Sequence, residues 1–221
     1  MTLPFTPDEF FGVLAAYNQR LWPYALGLWV LSLCAVIAMV HAGPGRPRLM
    51  PAVLALHWAW SGLAYHAAFF STINPAAWLF AGLFLVEAVL LICYGVVARR
   101  LPLAGGPSVL KPLSWGLIVY ALLYPAIARA EGLVFPSLPT FGVPCPTTIL
   151  TIGFLLAAER PVPRVVAVIP IMWAFVGGSA AFLFGVHADL ILLAAGVVLV
   201  VDILASMRLK SPIPQVRNAN P

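Results

Sequence analysis

Charged residues are scarce in this sequence. Asp, Glu, Lys and Arg make up only 9% of its 221 residues, whereas soluble domains carry about a quarter. Hydrophobic residues make up 62%, more apolar surface than a soluble fold of this length can hide from water. The composition therefore excludes a soluble protein, and no polar stretch is long enough to form a separate soluble domain.

Cysteine and lysine are rarer still. Three cysteines form no disulfide framework, and Cys34 and Cys93 lie inside apolar segments, where they are interpreted as small buried hydrophobes. The two lysines, Lys111 and Lys210, fall at predicted cytoplasmic positions, which excludes a retinal Schiff base. A secretory signal is also missing, because the acidic pair at 8–9 stands where a basic region belongs.

Seven apolar segments, each bounded by turn or charged residues, predict an all-α polytopic membrane bundle of seven transmembrane helices. They cover residues 21–40, 50–70, 76–97, 113–128, 147–158, 165–184 and 190–207. The transmembrane domain is therefore predicted over 21–207, followed by a cytoplasmic tail over 208–221.

Residues 1–20 are predicted to form a short interfacial amphipathic helix. Thr6, Pro7 and Glu9 have the spacing of a capping box with proline at the first helical position, and apolar residues recur at helical spacing over 10–17. The alternative is that this segment simply extends the first crossing helix. The Trp-Pro pair at 22–23 favours a bend between the two.

Arginine and lysine are distributed unevenly between the two ends of the predicted bundle. Alternate loops and the tail carry most of them, and only Arg20 and Arg129 fall on the other side; the first set is Arg46, Arg48, Arg99, Arg100, Lys111, Arg160, Arg164, Arg208, Lys210 and Arg217. Because basic residues are retained in the cytoplasm, the N-terminus is predicted outside and the C-terminus inside. The net charge of +5 is spread over short loops, so a nucleic-acid partner is not expected.

A proline-rich stretch over 135–148 precedes the short fifth segment and is predicted to be extended, including Pro144-Cys145-Pro146. Irregular backbone at membrane depth is tolerated where it lines a cavity, and a proline-interrupted segment is typical of transporter binding sites. A rigid cap over the bundle is the alternative interpretation.

Polar residues near the predicted outer helix ends suggest a ligand- or ion-binding pocket around this segment. Its candidates are Cys145, His66, Tyr65, Tyr124, Thr147 and Asp189. Three nitrogen, sulfur or oxygen ligands plus water would make a zinc site, for which the candidates are His66, Cys145, His187 and Asp189. Residues of these types also occur at membrane interfaces without binding anything.

A second group lies deeper. His57, Glu87 and Asp202 fall at similar predicted depths when helical rise is counted from the cytoplasmic ends. Ionisable residues inside a membrane are costly and are functional candidates by default. The group suggests a proton or cation relay, and a structural hydrogen-bond network is the alternative.

Several segments together resemble a known family: Trp58-Ala-Trp60-Ser61-Gly62, Tyr65-His66, Ile73-Asn74-Pro75-Ala76-Ala77 and the run Pro139 to Thr148. The sequence is similar to an uncharacterised family of small bacterial multi-pass membrane proteins, a domain of unknown function. The resemblance covers nearly the whole chain and implies the same bundle in a bacterial inner membrane. It implies no activity.

The function favoured by these patterns is a transporter or channel-like carrier of a small solute or ion, not an enzyme. The alternative is a membrane enzyme, redox or assembly subunit that binds a metal, quinone or lipid at the outer pocket. The lipid bilayer is the first expected partner, and a homo-oligomer or a larger membrane complex is compatible with the composition. The sequence indicates no particular cofactor.

Overall fold

The computed structural model describes residues 4–42, 48–103, 110–158 and 162–208. Within these ranges the protein is entirely helical, as predicted, and contains seven α-helices. They are α1 (Pro7–Ala42), α2 (Leu49–Trp60), α3 (Ala77–Leu90), α4 (Lys111–Ala130), α5 (Pro144–Ala157), α6 (Val165–Phe184) and α7 (Ile191–Arg208). The predicted tail beyond 208, Arg46 and Arg160 lie outside the described residues.

Helix α1 corrects the prediction of a separate N-terminal helix over 1–20. It runs for 36 residues without interruption and contains Pro23 in its interior. The predicted capping box is confirmed: the Thr6 N–H donates to Glu9 Oε2 at 2.7 Å, and the Glu9 N–H donates to Thr6 Oγ1 at 3.2 Å. The cap starts the helix. Pro23 removes one local backbone hydrogen bond, and this loss does not end the helix.

Helices α2 and α3 each continue into a π-helical turn, over Ser61–Ala67 and Leu91–Val97. With these turns included, both elements approach the predicted segments 50–70 and 76–97. Asn74 stabilises the turn before α3, because its side-chain oxygen accepts the Ala76 N–H at 3.0 Å. π-Helical turns are uncommon and often occur at functional sites, and the first of them carries Tyr65 and His66.

Helix α5 corrects the prediction that Pro144-Cys145-Pro146 is extended. These residues form its first turn, where proline is favoured because the first backbone N–H groups of a helix have no intrahelical partner. The irregular stretch before it ends at Val143. All twelve residues over 146–157 are buried. This short helix is therefore the centre of the bundle.

Neighbouring helices pack in opposite directions. Ser114, near the start of α4, donates to the Gly153 carbonyl near the end of α5 at 2.9 Å. Gly178, in the second half of α6, packs so closely against the start of α7 that an added Cβ would lie 2.6 Å from Leu193 Cγ. Small residues therefore allow close helix contact, as in other membrane bundles.

Among the described residues, five helical segments are long and apolar enough to cross a membrane: Pro7–His41, Ala77–Val97, Lys111–Ala130, Val165–Phe184 and His187–Met207. Their outward surfaces are apolar, and large side chains such as Trp78, Leu79 and Phe182 are more than 60% exposed. A surface of this kind is stable in lipid. The described part of the chain therefore has the properties of a membrane protein.

Candidate functional site

A cavity of about 250 Å³ lies at one end of the bundle, called here the cavity end. The start of α1, the π-helical turn after α2, the start of α5, the end of α6 and the turn before α7 form its walls. Most of its lining is apolar and much of it aromatic, including Phe5, Phe10, Tyr65, Phe70, Phe80, Trp173 and Phe184. Neither lysine nor arginine is among its lining residues.

His66 lies in the wall of this cavity and is fully buried. Its ring centroid is 4.8 Å from that of Phe84, 5.0 Å from Trp173 and 5.6 Å from Phe80, all in edge-on arrangements. Among the described residues, neither ring nitrogen has a hydrogen-bond partner. A buried polar group without a partner costs about 1–3 kcal/mol, so the imidazole is an unsatisfied polar group held against the cavity.

Asp189 is the acidic group of the cavity. It lies in a short 3-10 turn, His187–Leu190. Two hydrogen bonds of Ala188 hold this turn in place: its carbonyl accepts from the Tyr120 hydroxyl at 2.9 Å, and its N–H donates to Glu131 Oε2 at 2.9 Å. The carboxyl is buried and accepts a short hydrogen bond from the Tyr124 hydroxyl. Hydrogen bonds to the backbone of the turn and to the Asp189 side chain therefore both fix the position of the carboxyl.

Cys145 stands beside this carboxyl in the cavity wall. The space in front of its thiol exists because residue 177 is glycine: an added Cβ there would lie 3.5 Å from Cys145 Sγ and 3.2 Å from Trp173 Nε1. Three different elements, α5, α6 and the turn before α7, thus bring a thiol, an indole and a carboxyl to one wall.

The irregular stretch before α5 is held against the bundle by side-chain hydrogen bonds. The Tyr17 hydroxyl donates to the Phe141 carbonyl at 3.1 Å and accepts from Trp60 Nε1 at 2.8 Å. The Ser61 hydroxyl donates to the Gly142 carbonyl at 2.7 Å. These bonds satisfy backbone carbonyls that lie outside any helix, and they fix the start of α5 and therefore Cys145.

The structure brings four of the six predicted outer-pocket residues to the cavity lining, namely Tyr65, His66, Cys145 and Asp189. Tyr124 is next to them through its bond to Asp189. The sixth residue, Thr147, does not line the cavity; its hydroxyl donates to the Val143 carbonyl at 3.0 Å and is buried between helices.

The metal candidates are not grouped as ligands. His187 is exposed and does not line the cavity, although His66, Cys145 and Asp189 do. In the described ranges, no three or more His, Cys, Asp or Glu side chains are arranged to hold a metal ion. The geometry therefore gives no support to the predicted zinc site.

The inner group is less connected than its predicted depths suggested. His57 and Glu87 are both fully buried, but His57 Nε2 lies 2.7 Å from Ser32 Oγ of α1. Both carboxyl oxygens of Glu87 lack a hydrogen-bond partner among the described residues, so Glu87 is bonded to neither His57 nor Asp202. Asp202 is half-buried on α7.

Sequence reasoning missed the aromatic wall. Phe5 and Phe10 both stack on Phe184, with ring centroids 5.6 Å and 4.5 Å apart, and Phe5 packs edge-on against Phe70 at 5.3 Å. The available signal was the number of aromatic residues near the predicted outer ends of several helices. The apolar residues over 10–17 were interpreted as one face of an interfacial helix, and the sequence did not show that they share a cavity with distant aromatic residues.

An all-helical bundle with five helical segments long and apolar enough to span a membrane, among the described residues, defines a membrane-associated helical protein. The chain belongs to the family described as a family of unknown function (DUF6064), which matches residues 7–212. The predicted membership of an uncharacterised family is thereby confirmed. No curated protein and no solved structure matches the chain.

Proposed function

We propose that the protein is a carrier in a bacterial inner membrane and that the cavity is its site for a small, largely apolar solute bearing one polar group. The observation that carries the proposal is His66, which lines a mostly apolar cavity and has two ring nitrogens without a hydrogen-bond partner among the described residues. A bound polar group would satisfy them. An apolar pocket with a few convergent polar groups is the usual form of a small-molecule site.

The size of the cavity limits the solute. Apolar cavities of about 150 Å³ bind molecules the size of benzene, so about 250 Å³ admits a single ring with a short chain.

The proposed orientation has seven crossings, with the cavity end and the N-terminus outside. Arg48, Arg99, Arg100, Lys111 and Arg164 lie near the helix ends opposite the cavity, which the positive-inside rule assigns to the cytoplasm. Helix α5 spans only about 21 Å at 1.5 Å per residue, less than the apolar core of a bilayer. This is acceptable because α5 is surrounded by protein and the residues directly before it, 138–143, are mostly buried.

Labelling of Cys145 tests the site and the orientation together. Cys34 and Cys93 are exposed, so we expect the protein to tolerate serine at both positions. The double substitution leaves Cys145 as the single thiol. We expect a membrane-impermeant thiol reagent to label this variant in spheroplasts, and we expect 2-phenylethanol, a ring with one polar group, to slow the labelling. His66→Phe in the same background should abolish the protection, because it removes the polar partner.

Two results would contradict the proposal. Labelling only in inverted vesicles would place the cavity end in the cytoplasm. Labelling from outside that 2-phenylethanol does not slow would show an accessible thiol without a ligand site beside it.

The proposal also assigns proton coupling to the inner group. Glu87 is fully buried on α3, and no described residue bonds its carboxyl, which is the setting of a carboxyl that takes up and releases a proton in transport. In proteoliposomes with an internal pH dye and an imposed pH gradient, adding 2-phenylethanol should start proton flux through the wild type. Glu87→Gln should stop it, and the exposed Asp8→Asn should not; equal flux in all three, or in protein-free vesicles, would exclude the coupling.

A further inference from the structure

The charge distribution of the cavity narrows the class of solute, and this step rests on the proposed function. Asp189 is buried and lines the cavity. The carboxyl interacts with the side chains of Tyr124 and Cys145 through hydrogen bonds and with Glu131 through its charge. None of these side chains is a cation. Buried carboxylates are normally paired with a positive charge, so within the described residues this carboxylate lacks its usual partner.

The walls of the cavity favour a cation as well. Aromatic faces attract positive charge, and the lining contains several aromatic rings but no lysine or arginine. The exposed residues at the same end of the bundle include the acids Asp8, Glu9 and Glu131 against Arg20 and Arg129. An anionic solute would face the Asp189 carboxylate with no compensating charge in the cavity.

His66 supplies the remaining element. A neutral imidazole has one nitrogen that accepts a hydrogen bond, and in His66 no described residue donates to it. An ammonium N–H can donate to this nitrogen and to the Asp189 carboxylate.

We infer that the solute is a protonated amine carried on a single apolar ring or a body of similar size. Its ammonium group lies at the wall formed by Asp189 and His66. Its apolar part lies among the aromatic side chains of Phe10, Phe70 and Phe184.

A matched pair of probes tests the inference on the full-length protein in detergent. The probes are 2-phenylethylamine, which is protonated at neutral pH, and 2-phenylethanol, which has the same ring and chain length and also donates a hydrogen bond but carries no charge. By titration calorimetry we expect the amine to bind at least tenfold more tightly than the alcohol. Asp189→Asn should remove this preference, whereas the exposed Asp8→Asn should keep it.

Equal affinities for the two probes in the wild type would overturn the inference and leave the proposed function standing. Binding of neither probe would overturn both. A tenfold preference that survives Asp189→Asn would also overturn the inference, because the charge at that wall would then not be its source.

A second measurement does not require that Asp189→Asn folds. In the single-thiol Cys145 variant, cationic and anionic methanethiosulfonates form a mixed disulfide with the thiolate and release methanesulfinate. Both reaction rates are proportional to the fraction of Cys145 present as thiolate, so the ratio of the two rates does not depend on that fraction. We expect the cation-to-anion ratio at Cys145 to exceed that of free 2-mercaptoethanol at least tenfold, and a ratio equal to or below the free value would overturn the inference.

Discussion

Replacing His66 by phenylalanine should stabilise the ligand-free protein, although buried substitutions usually destabilise. The imidazole has two ring nitrogens without partners among the described residues, and each unsatisfied buried group costs about 1–3 kcal/mol. Phenylalanine removes both nitrogens, and residue 66 adjoins the cavity, which leaves space beside the slightly larger ring. We expect a gain of about 2 kcal/mol in the free energy of unfolding.

His57→Phe is the matched control, because it is the same change nine residues away on the same continuous helical element. His57 is also fully buried, but its Nε2 is paired with Ser32 Oγ at 2.7 Å. The substitution loses a hydrogen bond worth about 0.5–1.5 kcal/mol and places a larger ring in a closed interior, at about 1–3 kcal/mol. Its Nδ1 has no partner among the described residues, so removing that nitrogen returns about 1–3 kcal/mol. We therefore expect a net loss of about 1 kcal/mol, opposite in sign to His66→Phe.

Thermal unfolding of the detergent-solubilised proteins, followed by intrinsic fluorescence, measures both changes. For a chain of this length 1 kcal/mol shifts Tm by about 2–4 °C, so His66→Phe should raise Tm by about 4–8 °C and His57→Phe should lower it by about 2–4 °C. If His66→Phe lowers Tm as His57→Phe does, the His66 imidazole has satisfied partners in the folded protein. The argument for a ligand site at His66 would then lose its physical basis.

Two further pairs of variants test the packing that supports the site. Tyr17→Phe removes a hydroxyl that makes two hydrogen bonds, at 3.1 and 2.8 Å, and should cost about 2 kcal/mol, whereas the exposed Tyr24→Phe should change stability by less than about 0.5 kcal/mol. Gly95→Ala would place a Cβ 2.3 Å from that of Pro51 and should lower Tm, but Gly82→Ala, with nothing within 4 Å, should raise it because alanine favours a helix. Equal effects within either pair would contradict the packing.

Local features of the sequence were sufficient for most helices. The predicted sixth segment, 165–184, coincides with α6, and the capping box at Thr6 and Glu9 starts α1. Both depend only on apolar length or on side chains three residues apart, so no knowledge of distant residues is needed. The predicted seven segments therefore correspond to seven described helices.

Two predictions were wrong because a proline can have different effects in different surroundings. Pro23 was expected to separate an N-terminal helix from the first crossing helix, but α1 continues through it, since one missing backbone hydrogen bond does not outweigh the packing of a long helix. Pro144 and Pro146 were expected to keep the chain extended, but they occupy the first turn of α5, where no backbone donor is required. Proline is thus compatible with a continuous helix at Pro23 and with a helix start at Pro144 and Pro146, and not only with extended or interrupted chain.

The polar groups were predicted by type and depth, and their partners depended on the packing of whole helices. Counting 1.5 Å per residue gives the height of a side chain in the bundle but not the direction in which it points around the helix axis. His57 and Glu87 lie at predicted similar heights, yet His57 faces Ser32 of α1. His66 faces the cavity because it lies in a π-helical turn, and aromatic residues far apart in the chain close the space around it. Apolar length and caps are properties of neighbouring residues, whereas the cavity arises only when separate helices pack against one another.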